Sequence, residues 1–254
     1  MTVKRQGAVA QLTLSRPGAH NAITWAMYEQ LERHLGDLAG DDTVRAVVVR
    51  GDGRHFAAGT DIGQFRGFSG ADGVRYEERI DSIMSRLVDM PKPTIAAVQG
   101  YAVGAGLIIS TCCDLRYATP AATFGAPMAR TLGNCLSLKN YRRLAEALGV
   151  MRSKELMFTA RLLPAQEALQ AGFLTAVLEE ETFFAEVMEI ARAVAQHAPL
   201  TILATKEAYR RLREESEARL GSFDDVVERV YGSEDFAEGS RSYLEKRPPT
   251  WQGR

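Results

Sequence analysis

The chain is read as an α/β protein with a helical C-terminal region, and three features of the sequence predict it. Short apolar strands alternate with amphipathic helices through the first half, as they do around a largely parallel sheet. Helical periodicity alone runs through the last third. Two glycine-containing stretches, 55–62 and 100–106, each follow an apolar strand, and the second opens directly into a helical run. Small residues at such junctions let another group approach the main chain closely, and a helix start leaves N–H groups without partners.

The elements follow in order. Residues 9–14 alternate apolar and polar side chains, nearly as a half-buried strand does. Ser15, Arg16, Pro17 and Gly18 break it with turn chemistry. Thr24 caps a helix running to about residue 38, with Met27, Leu31 and Leu35 spaced by four along its apolar stripe. Ala46, Val47, Val48 and Val49 form a continuous apolar run of the kind buried on both faces of a sheet. The polar segment 66–73 reads as a surface loop, and helical periodicity follows over 76–87.

Residues 94–98 and 115–118 read as two further strands, with an apolar helix over 107–113 between them. Short helices are predicted at 138–148, 153–158 and 165–171, and longer ones at 182–196 and 199–219. Two more follow at 226–230 and 233–246. No repeat or low-complexity linker interrupts the chain. The expected organisation is a core domain over residues 1–199 and a helical region over 200–254.

With 254 residues and a net charge of −1, the chain is long enough for a sizeable core and offers no electrostatic case for nucleic acid or an anionic membrane. Residues 1–7 lack the apolar core of a signal peptide. No apolar run approaches the ~20 residues of a membrane span. Cys112, Cys113 and Cys135 show no paired metal-ligand spacing, and His20, His34, His55 and His197 are scattered. No metal site is expected, and the compartment expected is the reducing cytoplasm.

Several motifs now fall into register. They are Leu14, Ser15, Arg16 and Pro17 with Asn21 and Ala22; Phe56, Ala57, Ala58, Gly59, Thr60, Asp61 and Ile62; and Gly100, Tyr101, Ala102, Val103, Gly104, Ala105 and Gly106. Cys113 with Asp114, Ala171 to Leu174, and Glu245 to Arg247 complete the set. In order and spacing they resemble the crotonase superfamily of enoyl-CoA hydratases, isomerases and relatives, over almost the whole chain. That resemblance implies a crotonase-like core of repeated ββα units wound in a spiral.

It also implies an oxyanion hole from the Thr60 and Ala105 backbone N–H groups. Such donors stabilise charge developing on a carbonyl oxygen. The resemblance places coenzyme A against Ala19 and His20, with Ala58 and Ile62 around the adenine, as a thioester substrate and with no separate cofactor. Asp61 lies in the same loop, where a carboxylate bonded to backbone is the expected role. Tyr243 and Lys246 match an aromatic and a lysine presented to a neighbouring subunit's CoA, and Lys246 reads equally as a solvated helix position. A homotrimer or a dimer of trimers is implied.

The departures carry as much information. The two glutamates that hydratases of this superfamily use for proton transfer fall at Ile108 and Met128, which instead become acyl-pocket lining. Arg130 is a candidate for a substrate carboxylate or a partner for a buried acid. Asn134 is a candidate to orient water or to cap a helix starting near Ser137. Cys135 as a nucleophile would need an activating base that the sequence does not tie to it. Tyr76, Glu77, Glu78 and Asp81 read as a solvated acidic face, with an alternative catalytic role kept open; Glu234 and Glu238 are equally open. The functional expectation is an acyl-CoA enzyme with non-standard acid–base groups. The alternative is a non-catalytic acyl-CoA-binding homologue. A serine peptidase on a related fold is disfavoured, since Ser110 sits inside an apolar helix.

Overall fold

Strand β1 (Thr2–Gln6) pairs antiparallel with β2 (Val9–Leu14). Helix α1 (Trp25–Gly40) leads to β3 (Ala46–Gly51), and α2 (Gly70–Val88) to β4 (Thr94–Val98). Then come β5 (Tyr101–Val103), α3 (Ala105–Cys112), β6 (Leu115–Ala118), β7 (Thr123–Gly125) and α4 (Met128–Thr131). Helices α5 (Leu138–Leu148) and α6 (Val150–Thr159) precede β8 (Leu163–Pro164), α7 (Ala165–Gln170) and β9 (Ala176–Val177). Four helices finish the chain: α8 (Phe183–Gln196), α9 (Pro199–Glu217), α10 (Asp224–Tyr231) and α11 (Glu234–Leu244). This computed structural model describes residues 1–219 and 221–254.

The large sheet runs β1-β2-β3-β4-β6-β9, parallel from β2 onward, and a small sheet runs β5-β7-β8. The chain visits the sheets in turn. Strand β4 lies in the large sheet, β5 in the small one, and α3 follows; β6, β7 and α4 repeat the step. Before them, β3 is followed by Ala57, which bridges to Ala102 of β5, and then by α2.

Alternation along the strands divides the core. Ala10, Leu12, Val47, Val49, Ala96 and Val98 face α1, α2 and α3. Val9, Ala46, Val48, Ile95 and Ala97 face Phe183, Val187, Met188 and Ala191 of α8. With helices on both faces, β2 is buried throughout rather than half-exposed. Its Gln11 is 8% and its Thr13 9% exposed, and the Gln11 amide donates to the Thr13 hydroxyl at 3.2 Å. The polar positions of that strand therefore mark satisfied interior groups, not a solvent face.

Helix α2 corrects a second expectation. It begins at Gly70, inside the expected loop, because the Ser69 hydroxyl accepts from the Asp72 N–H while Asp72 accepts from the Ser69 N–H. That reciprocal cap starts the helix a full turn early. Among the described residues no helix is long and apolar enough to cross a membrane.

Candidate active site

The bridge between Ala57 and Ala102 lays the first glycine stretch along the second. Ala57 N–H donates to Tyr101 O at 2.9 Å, and Val103 N–H donates to Ala57 O at 2.9 Å. Gly59 and Gly104 turn at φ +109° and +54°, angles that side chains disfavour. A Cβ on Gly104 would lie 3.5 Å from the Gly59 Cα, so the two turns touch. Thr60 and Ala105 thereby line one cavity. Ala105 opens α3, where helix geometry leaves its N–H without an acceptor. Among the described residues neither its N–H nor that of Thr60 donates within the chain.

The first loop docks on the same wall. Ala58 N–H donates to His20 O at 3.0 Å, Ile23 N–H to Gly59 O at 2.8 Å, and Asp61 N–H to Ile23 O at 2.9 Å. The cavity has room for about 100 Å³ of water-sized guest, and Ile80, Met84, Ile108, Met128, Leu132 and Leu136 make much of it apolar.

Side chains build the facing wall. Glu77 lines the cavity and is only 4% exposed. The Tyr231 hydroxyl donates to its Oε1 at 2.7 Å, and the Ser137 N–H donates to its Oε2 at 2.8 Å. The Asn134 amide donates to the Tyr231 hydroxyl at 3.3 Å, while the buried Asn134 Oδ1 accepts from no protein group among the described residues. Burial pushes the Glu77 carboxyl up to about 8, against the pull of its two donors.

A second polar chain joins the walls. The Thr60 hydroxyl lies 2.7 Å from the Tyr28 hydroxyl and 2.8 Å from that of Tyr76. Burial pushes Tyr28 up to about 12 and Tyr76 well above the ordinary tyrosine value. Both phenols stay protonated at neutral pH and do not act as bases.

The enoyl-CoA hydratase/isomerase family model matches residues 4–254. The chain belongs to the enoyl-CoA hydratase/isomerase family. A curated relative, 2,3-dehydroadipyl-CoA hydratase of Escherichia coli K12, is 32% identical over 255 residues, covering 100% of this chain and 99% of that protein. Short-chain-enoyl-CoA hydratase of Clostridium acetobutylicum is 30% identical, covering 96% and 94%. A solved methylmalonyl-CoA decarboxylase in complex with 2-nitronate-propionyl-CoA superposes with a TM-score of 0.89 at 30% identity, covering 100% and 98%. The alternation of the two sheets described above is the crotonase fold of this family.

As a member of that family, the chain brings together Ala58, Thr60, Ile62, Ala105, Ile108, Met128 and Asn134 on one cavity. Ala19 and His20 lie in the loop docked beside it. Four expected site residues do not line this cavity; of these, Asp61 was expected in a structural loop role, and Tyr243 and Lys246 toward a neighbouring subunit. Arg130 is exposed on α4 and does not line the cavity, because the four-residue helix turns it outward. Asp61 is a loop carboxylate: it pairs with Arg16 at 2.5 Å and accepts from the Gly63 N–H at 3.0 Å, capping the turn that follows. Tyr243 and Lys246 are exposed at the end of α11, away from this cavity.

Several of the remaining candidates resolve into structural roles. Ser137 caps α5 through the Asn140 N–H, so Asn134 is not that cap. Burial pushes Cys135 up to about 12, the wrong direction for a nucleophile. Glu238 accepts from Arg241, Arg247 and the Thr250 N–H, and Glu234 pairs with Arg254. The acidic face expected on α2 is divided: Glu78 is exposed, Asp81 pairs with Arg143 at 3.2 Å, and Glu77 points inward. A signal for Glu77 was available. It continues the buried stripe Gly73, Ile80, Met84 and Leu87 at three- and four-residue spacing, where an apolar residue belongs.

Proposed function

We propose that this chain acts on a CoA thioester whose carbonyl oxygen lies between the Thr60 and Ala105 N–H groups. Those donors stabilise the enolate formed when the α carbon loses a proton or a substituent. The observation that carries the reading is a pair of unpartnered main-chain N–H groups on one largely apolar cavity. Hydration, isomerisation and decarboxylation of an acyl-CoA all place charge on that oxygen. The proton-transfer groups are non-standard, because the cavity carries Ile108 and Met128 at the positions where the resemblance puts glutamates.

Coenzyme A enters as part of the substrate, not as a resident cofactor. Ala19, His20, Ala58 and Ile62 hold it along the docked loop, and Tyr243 and Lys246 reach the CoA of a neighbouring subunit. Exposed Leu200, Leu203, Tyr209 and Leu212 of α9 support a homotrimer or dimer of trimers, which light scattering reads directly. The buried free thiols Cys112, Cys113 and Cys135 support a cytoplasmic setting.

The test is calorimetric titration with butyryl-CoA, beside turnover of crotonyl-CoA and of a branched malonyl-type acyl-CoA. Binding with turnover of one acyl class is expected. No heat with any thioester overturns the reading, and tight binding without turnover makes the chain a binder only.

A further inference from the structure

We propose that Glu77 is the proton-transfer group of this cavity, moving a proton to and from the acyl carbons of the bound thioester from the α2 wall. The inference rests on the acyl-CoA reading above and adds the acid–base residue that reading lacks.

Position is the first support. Among the described residues that line the cavity, Glu77 holds the only carboxyl, and no histidine, lysine, arginine or cysteine joins it there. Orientation is the second. One donor holds each oxygen, Tyr231 at 2.7 Å and Ser137 at 2.8 Å, which fixes the carboxyl plane. A carboxylate has about four acceptor positions, so two donors leave room to take up a proton. A group needed only to accept those two bonds would not have to be ionisable.

The third support is how the pair is assembled. Helix α2 opens on Gly70 and carries Gly73 inside its first turns, where a glycine costs about 1 kcal/mol against alanine. A Cβ on Gly73 would lie 2.2 Å from the Tyr231 ring, and one on Gly70 2.2 Å from the Glu228 carbonyl oxygen. The two glycines admit α10 against α2, and the Tyr231 hydroxyl then reaches Glu77 one turn further along. Tyr231 is thus a positioning residue, held in turn by Asn134.

The chemistry balances without a co-reactant. Ionised Glu77 removes the proton α to the thioester carbonyl. The C–H electron pair becomes the enolate double bond, and the carbonyl π pair moves onto the oxygen against Thr60 and Ala105. The new Glu77 carboxyl returns the proton to the α carbon, or to the γ carbon of a β,γ-unsaturated chain. Charged and titratable neighbours set when Glu77 ionises: Tyr76 and Asp81 on its own helix, Tyr231 on α10, Cys135 before α5, and Arg143 on α5 through Asp81. Burial dominates and Asp81 adds to it, so ionisation is expected near pH 8.

The experiment follows deuterium uptake from D2O into the α carbon of propionyl- and butyryl-CoA by mass spectrometry, with calorimetry on the same full-length proteins. Wild type should exchange, faster as pH rises through about 8. Glu77→Gln should bind both thioesters with similar heat and lose about 100-fold or more of the exchange. Tyr231→Phe removes a donor that favours the carboxylate, so its pH midpoint should move upward; a purely structural tyrosine would lower the melting temperature and leave that midpoint in place. Equal exchange by wild type and folded Glu77→Gln overturns the role of Glu77 and leaves the acyl-CoA site standing. Wild-type binding without exchange also overturns it. Absence of binding by wild type removes both.

Discussion

The two walls of the cavity are made differently. One is main chain: the loops around Gly59 and Gly104 present Thr60 and Ala105 through backbone geometry. The other is side chain: Glu77, Tyr231, Asn134 and Ser137 come from α2, α10 and the segment before α5. A main-chain wall tolerates a change of residue, because positions 60 and 105 keep their N–H groups with any side chain except proline. A side-chain wall has no such tolerance, since one altered atom removes a partner. Chemistry within a fold of this kind is therefore freer to vary on the second wall than on the first.

The sharpest way to break that comparison is Ala105→Pro. Proline suits the first position of a helix, so α3 should persist while one N–H disappears. Acyl-CoA turnover or exchange should fall about 10²–10³-fold, with little change in melting temperature. Unchanged turnover would place the oxyanion elsewhere.

The side-chain wall should announce itself in stability. Glu77 titrates near 4.5 when unfolded and about 8 in the fold. The fold holds that proton more tightly, so the associated stability is complete below about pH 4.5 and is lost as pH rises through about 8. Between those limits wild type should lose about 1.4 kcal/mol per pH unit relative to Glu77→Gln. Urea unfolding of both proteins at pH 5, 7 and 9 reads the difference; parallel curves would mean that Glu77 is already ionised.

Thr60→Ala separates the two kinds of contribution at a single residue. It keeps the amide but strips a hydrogen-bond partner from Tyr28 and Tyr76, for a loss of about 1–3 kcal/mol. Exchange should survive to within a few-fold. The smallest effect belongs to Arg130→Ala: stability should stay within about 0.5 kcal/mol and turnover unchanged, because the side chain is exposed outside the cavity. A collapse in turnover would extend the acyl site over α4.

Much of the fold was legible along the chain. The Thr24 cap, the apolar runs at β3 and β4, and the spacing on α5 and α8 each express a local rule, and the structure follows each within a few residues. Where the reading missed, the signal was local but weaker. Ser69 and Asp72 form a cap with a less usual acid, and Gln11 and Thr13 mimic a solvent face by bonding to each other. The short strands β5, β7, β8 and β9 escaped because two or three residues show no periodicity. Arg130 was expected near the acyl end on sequence position alone, and the direction in which a short helix turns is not written there.

Periodicity, caps and glycine turns act between near neighbours, so the strand–helix alternation and the individual turns of the main-chain wall follow from the order of residues, while the Ala57–Ala102 bridge that joins those turns belongs to the tertiary fold. The pairing of Tyr231 with Glu77 spans 154 positions. It exists because two helices far apart in the chain pack closely enough for Gly73 to seat an aromatic ring. Burial converts an ordinary glutamate into one that holds its proton near neutral pH, and burial is a property of the packed molecule.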